Sequence, residues 1–244
     1  MESFIFGLTS TGLAIPAFRF GSGHVSGHVS GHVSGHVSGH DARRDSGRAR
    51  VLILGGVHGD EIEGVWAAYG LLKSLSESYP YQLELTLVPT FNLDGVLARE
   101  RRNARGVDLN RNMPTRDWSP LIATERYHPG TKAGSEAETQ HLVNYLENSA
   151  PHFILSLHSW KPLLNVNGDC HAEAQVLAEN TGYPVEESIG YPTPGCLGTY
   201  TGLERSIPTI TYEIERGLNQ NLVLELHVPA ILKALKVSER RGKV

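Results

Sequence analysis

Cysteine is nearly missing from this 244-residue chain: only Cys170 and Cys196 occur, in no C-x-x-C pair. That excludes a disulfide-stapled scaffold and a thiolate zinc site. Long apolar runs are missing too. The stretch at residues 1–18 is broken by Gly7, Thr9, Ser10, Thr11 and Gly12, with no Lys or Arg ahead of it. It fits neither a signal peptide nor a spanning helix, so the expected compartment is the cytoplasm. There is no basic excess: 22 Lys and Arg stand against 26 Asp and Glu, for a net charge of −4. A global field for nucleic acid or an anionic membrane is thereby excluded, and any cationic site is local. What the chain does have is 40% hydrophobic and 20% charged residues, enough for a sizeable core without staples. No Pro-rich or charged linker divides it after Arg50, so one domain over residues 1–244 is expected.

Residues 23–40 repeat His-Val-Ser-Gly and space His24, His28, His32, His36 and His40 four apart. A helix would align these imidazoles for a transition metal, but a glycine in every unit opposes a helix. The expectation is a low-complexity loop insertion, with metal buffering as the alternative. Deleting it is then expected to leave function intact. Beyond it, strand and helix signals alternate. Val51, Leu52, Ile53 and Leu54 form an apolar run before Gly55 and Gly56; Ile62, Val65, Trp66, Tyr69 and Leu72 follow at helical spacing. Leu83, Leu85 and Leu87 alternate as a strand. Ser135 and Glu138 have capping-box spacing before a helix that would bury Leu142, Val143 and Leu146. Buried strands are expected from Phe153 to Leu157 and from Ile207 to Ile214, and Pro229 should kink the C-terminal helix or start its second part. The pattern predicts a single α/β domain with a central mixed, largely parallel sheet flanked by helices.

Three fragments carry chemistry. His58 and Glu61 fall where a strand gives way to a helix, the sheet edge at which ligands bind in α/β folds. An imidazole and a carboxylate three residues apart suit zinc, which takes such donors at about 2.0–2.2 Å; they also suit a charge pair at a helix N-terminus. His158, leaving the Phe153 strand ahead of Ser159 and Trp160, is delivered to the same edge. Between them, Arg101, Asn103, Asn110 and Arg111, grouped around Asp108, gather guanidinium and amide donors of the kind that bind carboxylates bidentately.

In order and content these fragments resemble the zinc carboxypeptidases of the M14 family, and from Arg50 onward the chain is closest to the small bacterial murein peptide amidases. The stretches from Gly106 to Pro114, Gly134 to Gln140 and Ile189 to Gly195 carry that likeness. The resemblance implies one zinc ion on His58, Glu61 and His158, with Asp108 receiving the other ring N–H of the first histidine. It implies Glu213 as general acid and base; Glu215, two residues on, faces the same side of a strand, and spacing alone leaves the pair open. Arg101 would polarise the scissile carbonyl, Asn110 and Arg111 would hold the terminal carboxylate, and Tyr191 would close over it, although the Pro-Thr-Pro-Gly after it departs from the animal digestive members. Gly198 falls near the position that sets side-chain preference there and would leave space rather than a charge. The Ser159–Trp160 peptide is expected to be cis. Arg99, Arg102 and Arg105 have no counterpart and should be solvated.

The implied activity is hydrolysis of the amide before a C-terminal residue, with γ-D-glutamyl-meso-diaminopimelate in peptidoglycan recycling as substrate. The partner is therefore a small peptide with a free C-terminal carboxylate, not nucleic acid or membrane. Two alternatives remain: an N-acyl amino acid deacylase of the succinylglutamate desuccinylase or aspartoacylase type, and a non-catalytic metal- or peptide-binding protein.

Overall fold

The computed structural model describes residues 1–21, 46–121 and 124–242. The histidine repeat, and with it the choice between loop insertion and metal buffer, lies outside the described residues. The chain opens with a hairpin, β1 (Glu2–Leu8) and β2 (Ala14–Phe20). It continues through β3 (Ala49–Leu54), α1 (Ile62–Glu77), β4 (Leu83–Val88), α2 (Leu93–Ala98), α3 (Ala137–Ser149), β5 (Phe153–Trp160) and β6 (Leu163–Asn167). After these come α4 (His171–Thr181), β7 (Val185–Glu186), β8 (Thr209–Glu215), the single turn α5 (Gln220–Leu222) and α6 (Val228–Ser238). The described strands form one eight-stranded sheet in the order β1-β2-β4-β3-β5-β8-β6-β7. Its central strands β4, β3, β5 and β8 run parallel; β2 joins β4 and β6 joins β8 antiparallel. The expected mixed, largely parallel α/β domain is what forms.

A strand covered on both faces has no polar side, which is why Val51 to Leu54 read as a continuous apolar run. Val51 and Ile53 enter the layer shared with α1, α4 and α6, while Leu52 and Leu54 enter the opposite layer with Leu142 and Leu146 of α3. From β3 the chain crosses through α1 to β4 on one side, then returns through α3 to β5 on the other. The C-terminal end of β3 is therefore the switch point where an α/β sheet opens a crevice. Gly56 turns the chain out of β3 with φ 63°, a left-handed conformation suited to glycine.

Four local expectations need correction or refinement. The buried face of α1 is Val65, Ala68, Leu71 and Leu75 with Gly64 and Ala67, whereas Trp66 lies on its flank and Tyr69 is exposed. The small residues decide this: a Cβ on Gly64 would come within 2.7 Å of the Leu157 carbonyl, so α1 turns its thin side to the sheet. The Ser135–Glu138 capping box does not form. Ser135 donates to the Glu136 carboxylate, and Glu138 accepts from the Ser10 N–H and the Asn103 amide, ties to neighbouring segments that outcompete the cap. Cis peptides are absent among the described residues, so Ser159–Trp160 is trans; β5 stays paired with β8 through Trp160 and Glu215. Pro229 does start the last helix, after a wide helical turn at Val223–His227. No helix of the described residues is long and apolar enough to cross a membrane.

Candidate metal centre

His58 follows β3, Glu61 stands at the entrance to α1, and His158 projects from β5; all three are buried. The helix N-terminus favours the negative charge of Glu61. One carboxylate oxygen of Glu61 lies 2.9 Å from His58 Nδ1, the other 2.9 Å from His158 Nδ1, and the two ring nitrogens are 3.1 Å apart. Behind them, His58 Nε2 is 3.0 Å from Asp108 Oδ1 and His158 Nε2 is 3.0 Å from Ser156 Oγ. Asp108 can only accept when ionised, so His58 donates Nε2–H and directs its Nδ1 lone pair inward. Three ligand atoms thus lie within 4.8 Å of one another. Two imidazole nitrogens and a carboxylate, brought together among buried side chains, fit a divalent zinc ion.

The surrounding charges hold this set in place. Arg101 donates Nε to Asp108 Oδ2 at 2.9 Å and Nη1 to Glu61 Oε1 at 3.0 Å, and Ser159 N–H reaches Glu61 Oε2 at 3.2 Å. Burial would raise the Asp108 carboxyl, but the imidazole of His58 and the guanidinium of Arg101 outweigh it and hold it well below the usual carboxylate range. Glu213 pairs in register with His158 across β5 and β8, is buried, and leaves Oε2 without a hydrogen-bond partner. Burial, reinforced by the charge on Glu61, pushes its carboxyl up to about 7. Glu215 is at the same side of β8 but past the crevice, and is exposed. The buried carboxyl is therefore the one beside His58, Glu61 and His158.

Arg111 is buried and packs its guanidinium 5.2 Å from the Tyr127 ring centroid. It lines a cavity of about 350 Å³ with Tyr127, Tyr191 and Pro194. Asn110, expected beside it, spends its side-chain oxygen on the Leu197 N–H at 2.8 Å and so fixes the loop after Gly195. Tyr191 meets Trp160 edge to face at 5.9 Å. It also borders a second cavity, about 190 Å³, walled by Glu61, Arg101 and Trp160. The space expected over Gly198 is taken: a Cβ there would lie 2.2 Å from the Asn167 side chain. Arg102 and Arg105 lie outside both cavities, held by Glu125 and Glu136. A larger hollow, about 560 Å³ near Glu173 and Arg241, opens beside Pro151 and Pro208, at the opposite edge of the sheet from His58, Glu61 and His158.

Two contacts at this sheet edge have weak sequence signals. Ser156 is two residues before His158 in a strand and so shares its face, a period-two cue. Tyr127, which lies under both Arg101 and Arg111, has no local pattern to mark it.

The sequence pattern of the family described as zinc carboxypeptidase matches residues 2–186, and the chain belongs to that family, M14. It is a hydrolytic enzyme of the carboxypeptidase class. Murein peptide amidase A of Vibrio campbellii (strain ATCC BAA-1116) is 31% identical over 201 residues, covering 77% of this chain and 78% of that protein. The protein of the same name from Escherichia coli (strain K12) is 34% identical over 169 residues, 64% of this chain and 66% of its own. The crystal structure of murein-tripeptide amidase from Escherichia coli O157 superposes with a TM-score of 0.70 at 26% identity, covering 97% of this chain and 92% of that one.

Proposed function

We propose that the enzyme cleaves the γ-D-glutamyl-meso-diaminopimelate bond of murein peptides, among wall fragments returned to the cytoplasm for recycling. The amidase names of its relatives support the substrate, and a cavity of about 350 Å³ in which Arg111 can meet a terminal carboxylate supports action at a chain end. His58, Glu61 and His158 would hold one zinc ion per chain. When bound, zinc lowers the pKa of a water toward about 7 and draws charge from a carbonyl oxygen. Asp108 keeps His58 in the tautomer whose Nδ1 is free to ligate. Glu213, buried beside His158 with one oxygen unpaired, takes a proton from the attacking water and delivers it to the leaving amine nitrogen. Arg101 offers N–H groups to the oxyanion that develops on the scissile carbonyl. Arg111 and the side-chain N–H of Asn110, whose oxygen is held by Leu197 N–H, receive the substrate's terminal carboxylate, and Tyr191 closes over it.

The observation that carries this reading is the convergence of the three ligand atoms, the unpaired Glu213 oxygen and Arg101 at one sheet edge. The test is incubation of the zinc-loaded protein with L-Ala-γ-D-Glu-diaminopimelate, ordinary C-terminal peptides, and acetyl or succinyl amino acids, followed by mass detection. Release of diaminopimelate is expected. Turnover of the acyl amino acids alone would establish a deacylase, and turnover of none would leave a binding protein.

A further inference from the structure

Two guanidiniums next to the candidate metal centre converge on one acid that the mechanism above does not use. Asp60 directly precedes the ligand Glu61. Its Oδ2 accepts from Arg126 Nη2 at 2.9 Å and lies 2.9 Å from Arg216 Nη2, which also donates to the Asp60 carbonyl oxygen. Arg216 stands three residues past Glu213, and its own N–H is anchored on the Trp160 carbonyl at 2.9 Å. Two positive charges thus share one negative, leaving one net charge. Each guanidinium carries five N–H donors in a planar fork, more than Asp60 can engage. Both side chains are partly open to solvent, 45% for Arg126 and 39% for Arg216. Both line the cavity of about 190 Å³ that also contains Glu61 and Arg101.

The two cavities give a bound substrate its polarity. Tyr127 and Tyr191 border both, with Arg111 in one and the Arg126–Arg216 pair in the other. A substrate whose terminal carboxylate meets Arg111 brings its scissile carbonyl to Arg101 and runs its acyl portion toward the paired arginines. An α-linked peptide offers a neutral amide there. A γ-linked acidic residue offers a free carboxylate, the group a guanidinium fork binds best. We propose that Arg126 and Arg216, held together by Asp60, form an acyl-side clamp that selects substrates with a free carboxylate on the residue before the scissile bond. The clamp rests on the amidase reading and names the residues that set its acyl preference. Asp60 is its positioning residue, since without it two like charges would repel each other.

The experiment compares two peptides that differ only in that carboxylate: L-Ala-γ-D-Glu-diaminopimelate and its D-isoglutaminyl analogue, in which the group is a carboxamide. The ratio of their kcat/KM values is read for the wild type, Arg126→Gln, Arg216→Gln and the double variant. Because both substrates are measured in one preparation, the ratio does not depend on the fraction of protein folded. The wild type should prefer the acid by about 10- to 100-fold, the usual worth of a hydrogen bond to a charged group. Each single variant should lower the ratio and the double variant should bring it near one, with the change carried by the KM of the acid. Arg216→Lys should retain part of the preference. A wild type without preference, or a double variant that slows both peptides equally, would overturn the clamp while leaving the amidase reading standing. Failure to cleave either peptide would overturn the amidase reading itself and the clamp with it.

Discussion

Glu213 and Glu215 stand two residues apart on one side of β8, and depth separates them. Glu213 is 8% exposed beside His158, while Glu215 lies past the crevice in solvent. Glu213→Gln should therefore keep its zinc, measured by metal analysis, and lose about 10²- to 10⁴-fold in kcat, the usual contribution of a positioned general acid and base. Glu215→Gln should change kcat little; the reverse result would reassign the role. Asp108 acts through His58. Asp108→Asn presents an amide that can turn its N–H toward Nε2 and so favour the wrong tautomer. Zinc affinity, measured by chelator competition, should fall about 10- to 100-fold. At this scale the meeting of His58, Glu61 and His158 was legible because His-x-x-Glu, Asp-x-Asn-Arg and His-Ser-Trp occur together. The Asp60, Arg126 and Arg216 group was not, because its members come from three separated segments that share no spacing.

Helix α1 shows how an element carries the site. Its thin face presses Gly64 against the Leu157 carbonyl, one residue ahead of His158. Gly64→Ala improves helix propensity by about 1 kcal/mol, but the added methyl cannot be accommodated by a rigid backbone atom. A net destabilisation of about 1–3 kcal/mol is expected in urea unfolding, together with weaker zinc binding as Glu61 is drawn from His158. A second element-level effect lies under α6. His227 is fully buried, with Nδ1 2.6 Å from the Tyr212 hydroxyl, and burial lowers its pKa to about 4 from the ordinary 6.5. Between those values the unfolded chain takes up a proton that the folded chain refuses. The stability contribution is thus whole above pH 6.5 and is lost as pH falls toward 4, by up to about 3 kcal/mol. Urea midpoints measured across this range should fall with pH in the wild type and less steeply in His227→Gln. The hairpin β1–β2 was the element least legible. Pro16 breaks the strand pattern, yet it is tolerated because β2 meets β4 only at Phe18, Arg19 and Phe20, leaving Pro16 paired with β1 alone.

For the whole molecule, zinc should link the sheet edge into one unit, because its proposed ligands come from the β3–α1 connection, which carries His58 and Glu61, and from β5, which carries His158. A ligand that binds only the folded state stabilises it by mass action. Exhaustive chelation should abolish turnover and lower the melting temperature in calorimetry, and one equivalent of zinc should restore both. His58→Ala should show neither response. Unchanged melting on chelation would argue against a metal that ties these segments together.

Much of the architecture follows from local pattern. Val51 to Leu54 and Phe153 to Leu157 read as buried strands because each is a short, largely apolar, β-branched or bulky run bounded by turn residues, and the helical spacing between them calls for crossovers. The residue types for zinc chemistry are likewise written in the chain. Only the tertiary structure decided which face of α1 meets the sheet, that Ser135 and Glu138 bond elsewhere than in a cap, and that Asn167 fills the space over Gly198. Those outcomes depend on which groups from distant segments arrive within hydrogen-bond or van der Waals reach, and such distances are set when layers pack, not by the order of residues along a strand.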